Sequence, residues 1–563
     1  MKAFSLLLIF CAATFARFMH YEHNIAGENI EKSTPNAYTD RVAIDSLGDI
    51  RGVMGAPKNI IVCEHGDVIA VLYGAPSWDP ANSMIPMVAY SLDTGATWTT
   101  YGPFGGACRR MYGAVTGPPN FCQIGGLVFI WQESTLGYND GRIVVLIEEN
   151  VPYAPSFSVP TILPNSEPPA MYPWNPDIAM APDDPADLVA TAWSYLAAGN
   201  QWAYCWISHD GGYTWTDTIP MGFIPTDGTP GILSRGTEGY VIYAYQAYYH
   251  YTPPDSIVYP YYMESTDGGY TWSPGQTVPG VPVNPGSQFW WHEFDCLVIN
   301  NEPWLIYTDI GTPGGGPYVM HGTGSPGNWT WEIWNAGVLG TCSLTIADTT
   351  FYCYPHQYPS ISYDAISNTI LASYKTFFYK EFAGTIFCDG PHIGGIYTTD
   401  TGENWTISQP LSDANTSQIP WENWSATEVA HRMFCTGGNL WSYAIWVDGV
   451  ALVLYFERGL VTSFLPLAVN ENKEAKITHA QLRILPSIGT NKTTIYFDLL
   501  KPANVEINLY DASGRLTRNV IEAKLIAGHH NIDLCTHDLP RGVYFVSLES
   551  ENTTLTKKIV LID

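Results

Sequence analysis

One nine-residue phrase constrains this chain more than any other feature, because it is written four times. YSLDTGATW ends at Trp98, ISHDGGYTW at Trp215, ESTDGGYTW at Trp272 and YTTDTGENW at Trp405. Each copy joins an apolar strand-like run to a second strand-like run, as in WAYCWIS-HDGG-YTWTDT. Asp followed by Gly makes a tight hairpin turn: Gly supplies positive φ, and the Asp carboxylate accepts backbone N–H bonds within the turn. The Trp is placed to pack across the hairpin. Catalysis by Asp93, Asp210, Asp267 and Asp400 would require the four carboxylates to converge at one point. Copies carried on separate structural units do not converge. Asp93 with Trp98, Asp210 with Trp215, Asp267 with Trp272 and Asp400 with Trp405 are therefore read as structural.

The middle two aspartates lie about 57 residues apart, and the outer gaps are about twice that. A unit of this size, with some copies worn away, predicts a β-propeller. The stretch GTGSPGNW (Gly322–Trp329) stands where a missing copy belongs. Composition agrees with an all-β chain of short strands. Charged residues are only 14% of the 563, aromatics are also 14%, and Gly (51) and Pro (41) are plentiful. Units begin at APKNIIV, NFCQIGG, NPDIAMAP, TPGILSR, HEFDCLVIN, YPSISYD and HRMFCTG, giving seven blades, with six as the alternative. The last unit owns only three strands. YTDRVAID (Tyr38–Asp45) is expected to complete it, closing the ring and leaving no open edge.

The reading places a propeller over residues 36–465, a polar linker over 466–480, and an immunoglobulin-like β-sandwich over 481–563. Residues 1–16, MKAFSLLLIFCAATFA, read as a secretory signal peptide, with Lys2 ahead of an apolar run too short to span a membrane. No later run is long and apolar enough to span either, so the mature chain is expected to carry no transmembrane segment. The expected location is outside the cell or on a bacterial outer surface. Export permits disulfides, and Cys108 with Cys122 and Cys342 with Cys353 are near enough to close short loops. The remaining cysteines can equally be free and buried. No CxxC pair, His-Glu-x-x-His, phosphate loop, Gly-x-Ser-x-Gly elbow or EF-hand spacing occurs, so no metal or cofactor is expected. The net charge of −28 excludes a phosphate-binding stripe, and nucleic acid is not an expected partner.

Ser91–Trp98, Ser208–Trp215 and Ser265–Trp272 match S-x-D-x-G-x-T-W in full, and the last copy has Thr398 for Ser and Asn404 for Thr. The pattern resembles the Asp box, or bacterial neuraminidase repeat, of sialidase-like propellers. That family includes hydrolases, receptors and assembly factors, so the resemblance implies the fold and leaves the activity open. Sialidases grip their substrate with three arginines, the first in an Arg-Ile-Pro motif. The corresponding place here reads Gly55-Ala56-Pro57. Near the other end, Tyr510-Asp511-Ala512-Ser513-Gly514-Arg515, Leu539-Pro540-Arg541-Gly542-Val543-Tyr544 and Lys557-Lys558-Ile559-Val560 resemble the type A sorting domain of the type IX secretion system. This resemblance implies secretion machinery as a partner.

In a propeller, residues leading into the innermost strands line the channel mouth. Arg51, Tyr112, Trp174, Asp227, Trp290, Trp291, His292, His356, Tyr358, His431 and Arg432 fall there, and their aromatic faces beside polar groups suit a sugar. Packing between blades is the competing role for these rings. Asp177, Glu293, Asp295 and Glu428 are the carboxylates that a glycoside hydrolase would need. Binding of a glycan or surface protein is the favoured function. An exo-acting hydrolase or a purely structural surface protein are the alternatives.

Overall fold

A computed structural model describes residues 41–463 and 482–561 apart from connecting stretches, of which the longer are 78–83, 135–140, 225–230, 251–256, 282–293, 309–316, 336–341 and 412–426. The leader and the linker fall outside the described residues. The chain divides into two compact units, Met1–Leu465 and Pro466–Asp563.

In the first unit, six sheets of four antiparallel strands follow one another in chain order. Sheet I opens with Ile60–Val62, sheet II with Gly113–Thr116, sheet III with Pro173–Met180, sheet IV with Ile232–Arg235, sheet V with Phe294–Ile299 and sheet VI with Gln357–Asp364. Each first strand neighbours the first strand of the next sheet, so these strands form an inner ring. A further sheet, VII, joins Thr427–Val429, Asn439–Asp448 and Val453–Ser463 to Val42–Ser46 from the other end of the unit. Val42 pairs with Phe456 and Ser46 with Val453. The ring is closed by a strand that overlaps the segment expected for it, shifted slightly along the chain.

Burial follows from this stacking. A second strand such as Ile69–Pro76 (IAVLYGAP) is covered by neighbouring sheets on both faces, so it is apolar throughout rather than alternating. The outer strand Asn328–Asn335 is only half-covered and alternates. Two expected strand starts differ. NFCQIGG is not the first strand of sheet II, because Phe121–Ile124 forms a short helical turn that buries Phe121 and Cys122. HRMFCTG follows the first strand of sheet VII, since Thr427–Val429 precedes it. In sheet II the Gly- and Pro-rich flank Gly117-Pro118-Pro119 obscured the true strand, and in sheet VII the first strand is only three residues long.

The four repeated phrases lie at the turn between the third and fourth strands. Asp210 Oδ1 accepts from Ser208 Oγ (2.8 Å) and Thr214 N (2.8 Å), while its Oδ2 accepts from Thr214 Oγ1 (2.6 Å). Asp93 and Asp267 repeat all three bonds, and at Asp400 the amide of Asn404 stands in for the Thr hydroxyl at 2.6 Å. Trp98, Trp215 and Trp272 each donate their indole N–H to the box glycine's carbonyl at 2.8–3.1 Å. That glycine faces the preceding sheet. A Cβ on Gly95 would lie 1.9 Å from Phe456 of sheet VII, and one on Gly402 2.7 Å from Trp334 of sheet V. The boxes therefore fasten sheets I, III, IV and VI to the sheet before each. GTGSPGNW occupies the same turn in sheet V, where Gly327 N and Trp329 Nε1 donate to Glu264 of sheet IV at 2.5 and 2.9 Å. The worn copy keeps the fastening and changes its chemistry.

In the second unit a three-stranded and a five-stranded sheet share one core, in which Ile495, Phe497 and Leu534 meet Val505, Ile507, Leu509, Val546, Leu548 and Ile559. Arg515 N donates to Asp511 Oδ1 (3.0 Å), which caps the Asp-Ala-Ser-Gly turn, and Tyr544 OH donates to Pro540 O (2.7 Å).

Two substitutions measure the box. Asp210→Ala removes the acceptor for three donors at an exposed turn and should cost about 1 kcal/mol. Thr401 occupies the left-handed region (φ 57°), which a β-branched residue resists. Thr401→Gly should raise stability by roughly 0.5–1 kcal/mol after the entropy of Gly is counted. Denaturant melts of both variants check the pair, and an unchanged Asp210→Ala midpoint contradicts the fastening role.

Candidate functional site

The inner ring poses a problem of hydrogen bonding. The channel-facing edge of each first strand has no partner strand, and a buried N–H without an acceptor is costly. The described residues solve it at every junction. Val115 N of sheet II donates to Lys58 O (2.8 Å), and Met180 N of sheet III donates to Thr116 Oγ1 (3.2 Å). Leu233 N of sheet IV donates to Asp177 Oδ2 (2.6 Å), and Val298 N of sheet V to Ser234 Oγ (2.9 Å). Ile361 N of sheet VI donates to Asp295 Oδ2 (2.8 Å), Tyr363 N to His431 O (2.9 Å), and Asn59 N of sheet I to Glu428 Oε2 (3.0 Å). The three carboxylates expected as catalytic candidates on these strands are the acceptors at alternate junctions.

Their other contacts are also internal. Lys58 crosses from sheet I to place its ammonium 2.9 and 3.1 Å from the Asp177 oxygens, and it also donates to the carbonyls of Ile178 and Leu233. His431 Nε2 lies 2.9 and 3.0 Å from the Asp295 oxygens. Asp177, Asp295 and Glu428 are all buried. Burial pushes Asp177 up despite Lys58 and the N–H groups of Leu233 and Ile178. Burial raises Glu428 well above the carboxylate range, the Asn59 N–H opposes this, and Asp295 adds to it. Burial thus favours the protonated form of Glu428.

Of the expected binding residues, Trp174 is buried, stacked on Trp193 at 5.9 Å and tilted against Tyr112 at 5.7 Å. Tyr358 is buried with the Lys375 ammonium 5.6 Å from its ring centre. Arg432 donates to Pro119 O at 3.1 Å. Arg51, Asp227, Trp290, Trp291, His292, Glu293 and His356 lie outside the described residues. The described arginines of this unit do not gather. Arg142 bonds Glu133 (2.7 Å), Arg235 bonds Asp187 (2.6 Å), and Arg41 and Arg458 sit over aromatic rings.

The expected Cys108–Cys122 loop closure is overturned. Both thiols are free, Cys108 Sγ faces Gly106 O at 3.8 Å, and Cys122 Sγ lies 3.5 Å from His65 Nδ1. Nearness in sequence misled, because Cys122 turns toward sheet I. Cys342 and Cys353 stand directly opposite each other in a hairpin. Cys122 instead joins Cys63, His65 and Asp67, which sequence spacing did not single out, in one cluster.

The closed ring of sheets defines an all-β propeller. Residues 484–562 match the family of the secretion system C-terminal sorting domain, which marks the chain for delivery to the cell surface or beyond. A comparison with curated proteins gave no match. Among solved structures, an α-L-arabinanase of Penicillium chrysogenum is similar at 12% identity over 60% of this chain and 93% of its own, with a TM-score of 0.39. The sialidase of Trypanosoma rangeli is similar at 11% over 90% and 84%, TM-score 0.35, and the polysaccharide lyase Uly1 at 10% over 77% and 94%, TM-score 0.40. The fold assignment rests on the sheets themselves. No helix among the described residues is long and apolar enough to cross a membrane.

Two expectations test the channel. Asp177→Asn leaves the Lys58 ammonium buried without its counter-ion and should cost about 3–5 kcal/mol in denaturant melts. The raised pKa of Glu428 makes its burial cost most above its folded pKa and least near the ordinary 4.5. The melting temperature should therefore rise as pH falls from about 8 to about 5. Below that, the box aspartates oppose the trend: burial pushes Asp210 up, but bonds from Thr214 and Ser208 together hold it below its usual 3.8, so its stabilisation is lost in acid. Glu428→Gln should keep the Asn59 bond and lessen the rise, leaving the part contributed by Glu148, which burial pushes up to about 7, and by Asp177. A slope left unchanged by the substitution refutes the assignment.

Proposed function

We propose that this chain is an exported propeller that binds a glycan or a protein at the surface, and that it is not a hydrolase. One observation carries the reading. Asp177, Asp295 and Glu428, the inner-ring carboxyls that the sequence offered for catalysis, are buried and bonded to backbone N–H groups, Lys58 or His431. A glycosidase needs two carboxyls free to face the scissile bond, about 5–9.5 Å apart with sugar between them. Asp177 and Asp295, engaged at both oxygens inside a packed ring, are not free to transfer a proton or to attack, and they leave Glu428, whose Oε1 is buried without a partner, no second free carboxyl among the three. The scattered engagement of the described arginines likewise supports a function other than sialic acid cleavage.

The ligand surface is then built by the loops that lead into the inner strands. Trp290, Trp291, His292 and Glu293 immediately precede the first strand of sheet V, and the tryptophans offer flat faces suited to sugar stacking or to a protein hot spot. The sorting domain supports a role outside the cell, where such ligands are displayed.

Purified full chain should give saturable binding on a glycan array or to surface proteins, with no release of reducing sugar in parallel incubations. Trp290→Ala combined with Trp291→Ala should weaken binding about tenfold or more while the melting temperature holds. Steady sugar release abolished by Glu293→Gln would overturn the binding reading and establish the hydrolase.

A further inference from the structure

The geometry points to a structural zinc site, which we propose is formed by Cys63, His65, Asp67 and Cys122. One donor atom from each lies within 4.8 Å of all the others. The His65–Cys122 separation suits a tetrahedral ion, and Asp67 need only turn its carboxylate slightly away from Cys63 to do so. His65 Nδ1 is 3.5 Å from Cys122 Sγ, and Cys63 Sγ is 3.1 Å from Asp67 Oδ1. With Zn–N near 2.0 Å and Zn–S near 2.3 Å, a tetrahedral angle puts N and S about 3.5 Å apart. Two thiolates with an imidazole select zinc over the hard cations magnesium and calcium, and the carboxylate completes four ligands.

The surrounding backbone holds the donors in place. Cys63, His65 and Asp67 occupy the turn between the first two strands of sheet I, where Gly66 N donates to Cys63 O (3.0 Å). Gly66 has φ of 71°, and a Cβ there would fall 2.3 Å from Phe434 of sheet VII. Tyr443 OH donates to Gly66 O at 3.2 Å. On the other side Glu64 N donates to Pro119 O (2.8 Å), just ahead of the helical turn that presents Cys122. The same carbonyl accepts from Arg432 at 3.1 Å. Sheets I, II and VII thus meet at this turn, beside the seam where the ring closes. Two thiolates, one carboxylate, one dication and the Arg432 guanidinium sum to zero charge, which reduces the cost of a partly buried centre. A Cys63–Cys122 disulfide is the rival arrangement for an exported protein, and it gives His65 and Asp67 no role.

Purified full chain exposed to Zn2+ with a reductant and then desalted should retain one equivalent of zinc by elemental analysis. Co2+ should replace it with the intense visible bands of tetrahedral thiolate ligation, a readout needing no variant. Cys63→Ser and Cys122→Ser should each hold below about a tenth of an equivalent, and His65→Gln should weaken affinity about 10- to 100-fold. Cys205→Ser, altering a buried thiol elsewhere, should retain the full equivalent. Chelation should lower the melting temperature of the wild type and leave Cys122→Ser unmoved. Exported chain isolated without reductant should show both thiols open to alkylation once zinc is removed. Resistance of both to alkylation, with a mass two hydrogens lower, would establish the disulfide and overturn the proposal, as would sub-stoichiometric zinc in the wild type.

Discussion

The structure of the first unit depends on how the innermost strands satisfy their backbone. A sheet in a ring has one edge facing the axis, and the first strands of neighbouring sheets are not paired as a ladder. Side chains make up the difference. Asp177, Asp295 and Glu428 accept at three junctions, Thr116 and Ser234 at two more, and backbone carbonyls at the rest. A carboxylate suits the wider gaps because it offers several lone pairs at the end of a flexible stem. The cost is a group of acidic residues in low dielectric, offset for Asp177 by Lys58 reaching across from sheet I.

A second set of contacts lies away from the axis. The Asp boxes and the worn copy in sheet V tie sheets I, III, IV, V and VI to their predecessors through a glycine or an indole pressed against the neighbour. At those junctions inner and outer fastenings bind the same pair of sheets at two radii. Function on such a scaffold belongs to the loops, and rigidity to the rings.

The fold class was legible because the box states its own geometry: the residues that make the turn are those that bond within it. The closing strand was legible from a missing partner in the last unit. The roles of Asp177 and Glu428 were not, since a carboxylate ahead of an apolar strand reads the same whether it faces a substrate or a neighbouring N–H. Cys122 was paired with the wrong cysteine because its approach to His65 depends on how sheet II docks on sheet I. The alternation Cys63-x-His65-x-Asp67 was a local signal, but its fourth member lies in another sheet. The short helical turn at Phe121 went unseen because its Cys and Gly neighbours looked like a strand and its end.

Sheet VII has a consequence for the order of events in folding. Its strands Val42–Ser46 and Val453–Ser463 come from the two extremes of the ring, so their pairing closes the longest loop in the unit. Sheets I to VI each consist of consecutive strands and can form as the chain emerges, whereas this pairing waits for nearly the whole unit. Until then Val453–Ser463 offers a bare edge to any other extended segment, including the same strand from a second chain. An early-made segment thus acts as a latch held in reserve, and its arrival ends the period in which the chain is exposed to exchange with its neighbours.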